Sequence, residues 1–349
     1  MPVHRKEQRV LITGITGQDG AYLAAHLLER GYEVVGGVRR TSSENLWRLA
    51  YLGIVDKVKF VPFDLLEYSN ILGVISELAP AIVFNLGAQS FVGTSFTQPI
   101  LTSEIDAIGC LRLLEAIRHK APEARFYQAS TSEMFGRIKE PVQSESTPFH
   151  PRSPYGVAKA FAHHITMNYR ESFGLHASSG ILFNHESPLR GREFVTRKIT
   201  SQLALIKHGK ADALKLGNLS ARRDWGHARD YVAGMLSIVE QPEADDYVLA
   251  TGRTTSVRDF LLLAGRAAGF ELVLDGEGID EKAVDKKSGR IIASVSQEFF
   301  RPAEVDVLIG NPEKAREKLG WSANTTLEQL AQEMVSADLD RVAYGHELF

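Results

Sequence analysis

The chain has 349 residues, 44% of them hydrophobic and 24% charged, with a formal net charge of −3. This is a globular composition, and the near balance of charge excludes the strong field that nucleic acid or an anionic membrane surface would require. One cysteine, Cys110, excludes an intramolecular disulfide, and no run of about 18 apolar residues offers a membrane span.

Near the N-terminus no hydrophobic region is followed by a small-residue cleavage site, so a cytoplasmic location is expected. Arg9 to Thr13 reads as a short buried strand, followed by Gly14-Ile15-Thr16-Gly17-Gln18-Asp19-Gly20. A helix comes next, with Ala24, Leu27 and Leu28 on one face and Gly31 as its stop signal. Glu33 to Val38 is a second strand, completing a βαβ unit. A Gly-x-x-Gly-x-x-Gly loop between strand and helix brings backbone N–H groups to a helix N-terminus, where a pyrophosphate is favoured. A plain glycine-rich turn is the alternative, but the position between strand and helix favours a dinucleotide.

The second strand ends in Val38-Arg39-Arg40-Thr41-Ser42-Ser43. Folds that select NAD place an acidic residue near this point. Two arginines with neighbouring hydroxyls suit a 2′-phosphate instead, so the expected cofactor is NADP.

Strand and helix signals then alternate. Lys59 to Phe63 is a strand leading to Asp64-Leu65, and Ala81 to Leu86 another leading to Gly87-Ala88-Gln89-Ser90. Arg125 to Ala129 precedes Ser130-Thr131-Ser132-Glu133; His176 to Phe183 is a sixth strand and Tyr247 to Ala250 a seventh. Such alternation predicts a Rossmann-type α/β fold, a doubly wound parallel sheet covered on both faces. Ligands bind beyond the carboxyl ends of such strands, where these polar clusters fall.

Between the fifth and sixth strands lies Ser153-Pro154-Tyr155-Gly156-Val157-Ala158-Lys159. Ala158, Phe161, Ala162, Ile165 and Tyr169 continue at helical spacing, so Tyr155 and Lys159 share one helix face. A free tyrosine titrates near pH ~10, and a cation beside it favours the phenolate. Tyr-x-x-x-Lys can therefore make a general base from a phenol. Taken alone the spacing also fits an ordinary surface pair.

After Phe183 the pattern becomes irregular and basic, with His185, Glu186, Arg190, Arg192, Arg197 and Lys198, and later Arg222, Arg223 and Arg301. His163-His164 and His185-Glu186 have no partners at metal spacing, so no metal is expected. Lys286 to Gly289 reads as a hairpin turn. Thr325 and Glu328 read as a capping box opening the last helix, with Leu327, Leu330 and Met334 inward. The expected organisation is a dinucleotide-binding domain over 1–183, joined by a strand near 247–251. A smaller substrate domain, mainly 184–349, interleaves with it.

With these blocks in hand the chain resembles the extended short-chain dehydrogenase/reductases, and within them the branch that dehydrates GDP-mannose. The resemblance rests on residues 13–20, Ser130-Thr131-Ser132-Glu133-Met134-Phe135-Gly136, Arg152-Ser153-Pro154-Tyr155, Asn168-Tyr169-Arg170-Glu171-Ser172, residues 180–188, Arg223-Asp224-Trp225-Gly226-His227 and Arg301-Pro302-Ala303-Glu304-Val305-Asp306. It spans nearly the whole chain. It implies that Thr131, Glu133, Tyr155 and Lys159 are catalytic. It implies cofactor contacts from Gly14, Ile15, Thr16, Gly17, Gln18 and Asp19, from Arg39, from Asp64 and Leu65, from Leu86, Gly87, Ala88, Gln89 and Ser90, and from His185 and Arg190. Asn184, Lys198, Gly217, Arg223, Arg301 and Glu304 would surround the sugar nucleotide. Leu101 and His164 depart from the pattern, where relatives often carry tyrosine and tryptophan. The family is commonly tetrameric, with the Arg39–Ser43 segment reaching a neighbour's cofactor, so a homotetramer, or at least a homodimer, is implied.

The residue types suit the reaction that the resemblance implies, dehydration of GDP-mannose or a closely related GDP-linked sugar. Tyr155 would take the proton of the carbon 4 hydroxyl as a hydride leaves carbon 4. Glu133 would take the carbon 5 proton and protonate the hydroxyl leaving carbon 6. Arg223 and Arg301 suit a diphosphate as permanently charged planar donors. Two other readings are a nucleotide-sugar reductase or epimerase on the same scaffold and a non-enzymatic NADP-binding sensor. The first has no use for Glu133, and the second none for the four residues together.

Overall fold

The structure, a computed structural model, describes residues 9–43, 45–138, 140–299 and 308–345. Six strands come first: β1 (Arg9–Thr13), β2 (Glu33–Val38), β3 (Lys59–Pro62), β4 (Ile82–Asn85), β5 (Arg125–Thr131) and β6 (Ala177–Leu182). The chain then leaves for β7 (Asn184–Glu186), β8 (Leu214–Leu216), β9 (Arg222–Arg223) and β10 (Trp225–His227), and returns with β11 (Asp246–Leu249). The seven strands the sequence predicts, β1 to β6 and β11, agree with the structure to within two residues at each end, whereas β7 to β10 fall in the stretch read as irregular. The main sheet is seven-stranded in the order β11-β6-β5-β4-β1-β2-β3. Every pairing in it is parallel.

β1 shows why both faces are covered. Val10 and Ile12 pack with Leu23 and Leu27, whereas Leu11 joins Ile71, Ile75 and Leu113 on the other side. Successive strand residues point to opposite faces, so a strand buried on both reads as one apolar run. Each such side chain contributes ~1.5–3 kcal/mol by leaving water. The helices concerned are α1 (Gln18–Glu29), α2 (Trp47–Tyr51), α3 (Tyr68–Leu78), α4 (Val92–Thr97), α5 (Pro99–Ser103), α6 (Gly109–Lys120) and α7 (Pro154–Phe173). A π-helical turn, Glu104–Ile108, joins α5 to α6. The strand order reverses between β1 and β4, which opens a crevice at their carboxyl ends.

A second lobe is built on α8 (Val195–Lys207), β12 (Thr255–Ser256), α10 (Val257–Ala267), β13 (Leu272–Asp275), β14 (Lys282–Asp285), β15 (Ile291–Val295) and α12 (Leu327–Ala343), while α9 (Ala228–Val239) and α11 (Glu313–Leu319) also lie in this half of the chain. Its four-stranded sheet runs β13-β14-β15-β8, with Leu203, Phe260 and Met334 in its own core. α9 belongs instead to the main sheet, where Val232 and Met235 share a cluster with Leu23. The turn at 286–290 closes a β14–β15 hairpin as the sequence predicts. The capping box of α12 stands one residue later than expected. Thr326 Oγ1 accepts the Gln329 N–H at 3.2 Å, and Gln329 Oε1 accepts the Thr326 N–H at 2.9 Å. The Thr325 N–H is already given to Asp230. Among the described residues no helix is long and apolar enough to cross a membrane.

Candidate active site

The crevice at the strand ends is a cleft of about 630 Å³ between the lobes. Its floor is the glycine loop. Gly14 has φ +71°, and a Cβ there would stand 2.7 Å from the Gly87 nitrogen beyond β4. A Cβ on Gly20 would stand 2.4 Å from the Gly14 carbonyl oxygen. The loop can fold tightly onto α1 and lie against the β4 exit only with glycine at these places. Gly17 caps α1, so the first N–H groups of the helix point toward the cleft floor.

Polar contacts hold this floor to the second lobe. Gln18 Nε2 donates to the His185 carbonyl at 3.1 Å, and Ser187 Oγ donates to Gln18 Oε1 at 2.7 Å. The His185 ring lies 2.9 Å from the Asp19 carboxylate and stacks on Tyr231. Arg48, which the sequence reading passed over, donates to the Thr16 carbonyl at 3.1 Å and to the Leu189 carbonyl at 2.7 Å. Arg197 is 1% exposed; it donates to the Pro188 and Arg190 carbonyls, and its charge is met by Asp338 at 2.8 Å. Arg190 is thereby set over the cleft, where it pairs with Glu186 at 3.2 Å and lies on the Phe194 ring.

The opposite wall is β5 and the start of α7. Ser153 caps α7 by accepting the Gly156 N–H at 3.0 Å, and Pro154 follows at the first helical position. Gly156 allows the helix to reach β5: a Cβ there would stand 2.7 Å from the Glu133 carbonyl oxygen. Glu133 donates its N–H to Thr131 Oγ1 at 3.3 Å. Tyr155 and Lys159 are buried one turn apart, with Lys159 Nζ 5.9 Å from the Tyr155 ring centre and donating to the Ala129 carbonyl at 3.1 Å. Thr131, Glu133, Tyr155 and Lys159 therefore line one wall of one cleft.

One expectation needs correction. Lys159 was to lower the Tyr155 phenol, but burial, then the charge of Asp106, pushes it well above the ordinary tyrosine range. The nearby Thr131 hydroxyl and Arg190 act in the lowering direction and do not overcome this. The ring is 8% exposed, so loss of hydration dominates its acidity.

The other predicted positions divide. Gly14, Thr16, Gly17, Gln18, Asp19, Leu86, Ala88, Ser90, Asn184, His185, Arg190, Lys198, Gly217 and Arg223 line the same cleft. Ile15 does not; it is fully buried beneath the loop, against Gly36. Arg39 is exposed just past β2, and Asp64 and Leu65 follow β3, all beside the cleft rather than on its surface. Gly87 backs the loop, and Gln89 gives its N–H to Asp106 at 2.7 Å. Arg301 and Glu304 lie outside the described residues. Sequence reasoning also missed Phe91 and Phe194, which meet edge to face at 5.8 Å as part of the lining, and Phe299, whose ring carries Lys198 Nζ at 3.3 Å. Phe91 directly follows the predicted Leu86–Ser90 cluster, which was the available signal.

The fold and this cleft define a dinucleotide-binding α/β enzyme scaffold with a tyrosine–lysine pair at the centre of its crevice. The chain belongs to the GDP-mannose 4,6 dehydratase family, whose model matches residues 11–334. A GDP-mannose 4,6-dehydratase of Yersinia enterocolitica is 49% identical over 96% of this chain and 94% of its own length. One of Vibrio cholerae is 50% identical over 97% of this chain and 95% of its own. In fold, the chain matches the dTDP-glucose 4,6-dehydratase DesIV of Streptomyces venezuelae with a TM-score of 0.81, at 20% identity over 96% of this chain and 98% of that one.

Proposed function

We infer that this chain is a GDP-mannose 4,6-dehydratase, a lyase converting GDP-mannose to the 4-keto-6-deoxy sugar nucleotide by internal hydride transfer and loss of water. A closely related GDP-linked sugar is the alternative substrate. The observation that carries the reading is Glu133 on the same wall as Tyr155 and Lys159, held there by the close approach of Gly156. Family membership supports the substrate.

The residues present fit a nicotinamide dinucleotide. Side chains at Gly14 or Gly20 would prevent the floor from folding as it does, and the α1 N-terminus offers N–H groups to a pyrophosphate. Residues 14–19 would hold that group, Asp64 and Leu65 the adenine side, Leu86 to Ser90 the strand-end side, and His185 and Arg190 further contacts. Arg39, beyond β2, suits a 2′-phosphate, so NADP is preferred over NAD. Bound there, the cofactor supplies a hydride acceptor for carbon 4, a hydride donor for carbon 6, and a positive charge that favours the phenolate.

The chain's own residues do the rest. Tyr155 takes the proton of the carbon 4 hydroxyl, with Lys159 supporting the phenolate. The carbon 4 ketone acidifies the proton on carbon 5, which Glu133 removes. Glu133 then gives that proton to the carbon 6 hydroxyl, which leaves as water; carbon 5 regains a proton from solvent as carbon 6 is reduced, and Tyr155 returns its own proton to solvent before the next turnover. Thr131 orients this wall through the Glu133 N–H. Asn184, Lys198, Gly217 and Arg223 surround the sugar nucleotide, and Arg301 and Glu304 belong to the same reading. On this division residues 1–183, with the strand near 247–251, serve the cofactor and 184–349 mainly the substrate.

The functional unit we propose is a homotetramer built on dimers. Phe96, Ile100 and Leu101 on α4 and α5 lie exposed beside exposed Val157 and Phe161 on α7, and the three helices pack together. An apolar face of this kind suits a second copy of the chain.

Incubating the purified protein with GDP-mannose deuterated at carbon 4 tests the reaction. The expected product is a 4-keto sugar carrying deuterium at carbon 6. Label lost to solvent, or retained at carbon 4, would sink the mechanism and leave the reductase or epimerase reading.

A further inference from the structure

Asp106 lies in the π-helical turn between α5 and α6. Such one-turn widenings of a helix concentrate at functional sites. Its side chain is 2% exposed. Oδ1 accepts the Gln89 N–H at 2.7 Å, while Oδ2 is buried with no hydrogen-bond partner among the described residues. An unpaired buried carboxylate oxygen calls for an explanation.

The explanation faces it across the fold. The turn packs on α7, which presents Lys159 and Tyr155. Lys159 is 3% exposed, and the Ala129 carbonyl takes one of its three N–H bonds. A buried ammonium needs a nearby negative charge to stay ionised. The loop after β4 offers Asp106 only the neutral Gln89 N–H. One helical turn beyond, Cys110 is neutral, its thiol pushed up to about 12 by burial.

We propose that Asp106 is a positioning residue for the dehydratase reaction, holding the strand-end loop at Gln89 while its buried charge, in the turn packed on α7, balances Lys159 and sets how readily Tyr155 ionises. This rests on the dehydratase reading above. Burial pushes the Asp106 carboxyl up to about 6, with Lys159 and the Gln89 N–H working against the rise. Its charge therefore develops just below neutral pH. Once present, that charge opposes a phenolate at Tyr155.

Asp106→Asn separates the two roles, because the amide oxygen can still accept the Gln89 N–H but carries no charge. The readout is the pH dependence of bound NADPH formation after mixing with GDP-mannose, in a Glu133→Gln background where elimination is blocked. Above pH 6 the Asn variant should reach a given rate about one pH unit lower than its parent. Below that the two profiles should merge, since the aspartate is then neutral too. Asp106→Ser, also neutral, is read the same way if the Asn variant does not fold. Profiles that coincide throughout, or a displacement to higher pH, would overturn the proposal. Wild-type protein with GDP-mannose is the control: no 4-keto product there overturns the dehydratase reading itself, whereas normal product with an unmoved Asn profile overturns only the role of Asp106.

Discussion

His185 and Asp19 form an ionic pair across the cleft floor, with the ring nitrogen 2.9 Å from the carboxylate. The other ring nitrogen lies 2.7 Å from the Phe183 carbonyl. A ring facing two acceptors must donate from both nitrogens, which only the imidazolium can do. Burial works against both charges, but each offsets it for the other. The Asp19 carboxyl falls to about 2, and His185 rises above the ordinary histidine value. The carboxylate's contribution is present above its unfolded value of 3.8 and is lost as pH falls toward 2. The histidine's contribution is present below 6.5 and is lost as pH rises through its raised folded value.

The melting-temperature difference between wild type and Asp19→Asn should therefore be largest between pH 3.8 and 6.5. It should shrink on the alkaline side as His185 loses its proton. A difference independent of pH would show that the contact is not ionic. Thermal denaturation at fixed ionic strength makes the comparison.

Gly156→Ala should damage turnover more than folding. The added methyl meets the Glu133 carbonyl at 2.7 Å, a backbone atom that cannot swing aside. Relief requires α7 to move away from β5, separating Tyr155 from Glu133. Overpacking of this kind costs ~1–3 kcal/mol, which a domain of this size can absorb, whereas a small displacement of reacting groups costs up to about 100-fold in rate. Urea denaturation and kcat measured on one preparation separate the two effects. Unchanged kcat would mean that the spacing of this wall is not critical.

Glu133→Gln and Tyr155→Phe should fail at different steps. With Tyr155 and Lys159 in place, the Gln variant should still oxidise carbon 4, so enzyme-bound NADPH builds up on adding substrate. Its overall turnover should fall by ~10²–10⁴-fold, the usual worth of a general acid–base group. Tyr155→Phe should show neither NADPH nor product. Single-turnover nicotinamide absorbance compares them directly. Full activity in Glu133→Gln would remove the residue from its assigned role.

The purified protein should carry NADP(H) without added cofactor, because an internal hydride cycle never requires its release. Nucleotide released by denaturation identifies it. Arg39→Glu should cut retention of NADP(H) at least tenfold and favour NAD(H), since a carboxylate suits free ribose hydroxyls and repels a 2′-phosphate. Recovery of NAD alone from wild type would overturn the argument from Arg39.

What the sequence made legible was whatever depends on near neighbours along the chain. The seven strands of the main sheet read as apolar runs, because β1 and its companions are buried on both faces. Gly14, Gly17 and Gly20 announced the floor, since their spacing alone fits a strand-to-helix turn. Tyr155 and Lys159 announced the wall by their one-turn separation. Quantities summed over the whole environment were not legible. The acidity of Tyr155 depends on burial and on Asp106, which comes from another element 49 positions earlier and reads there as one polar residue in a helical run. Gln89 sat in the right cluster, yet its N–H turns to Asp106 and away from the cleft surface. Arg48 went unread and Arg197 was one basic residue among several, because their acceptors, the Thr16, Leu189, Pro188 and Arg190 carbonyls, are brought to them only by the fold.

The late return of β11 to the main sheet has a consequence for dissection by truncation. It pairs in parallel along β6 from Asp246↔Ser179 to Leu249↔Leu182, after the chain has built β7 to β10. A fragment ending at residue 183 would keep six strands but leave β6 with a bare, apolar edge. Exposed edges of that kind recruit strands from other molecules. The lobes therefore cannot be separated by a single cut or exchanged with a relative by joining two segments end to end. A transplant of the substrate lobe needs three junctions, with residues 246–249 kept on the side of the sheet they complete.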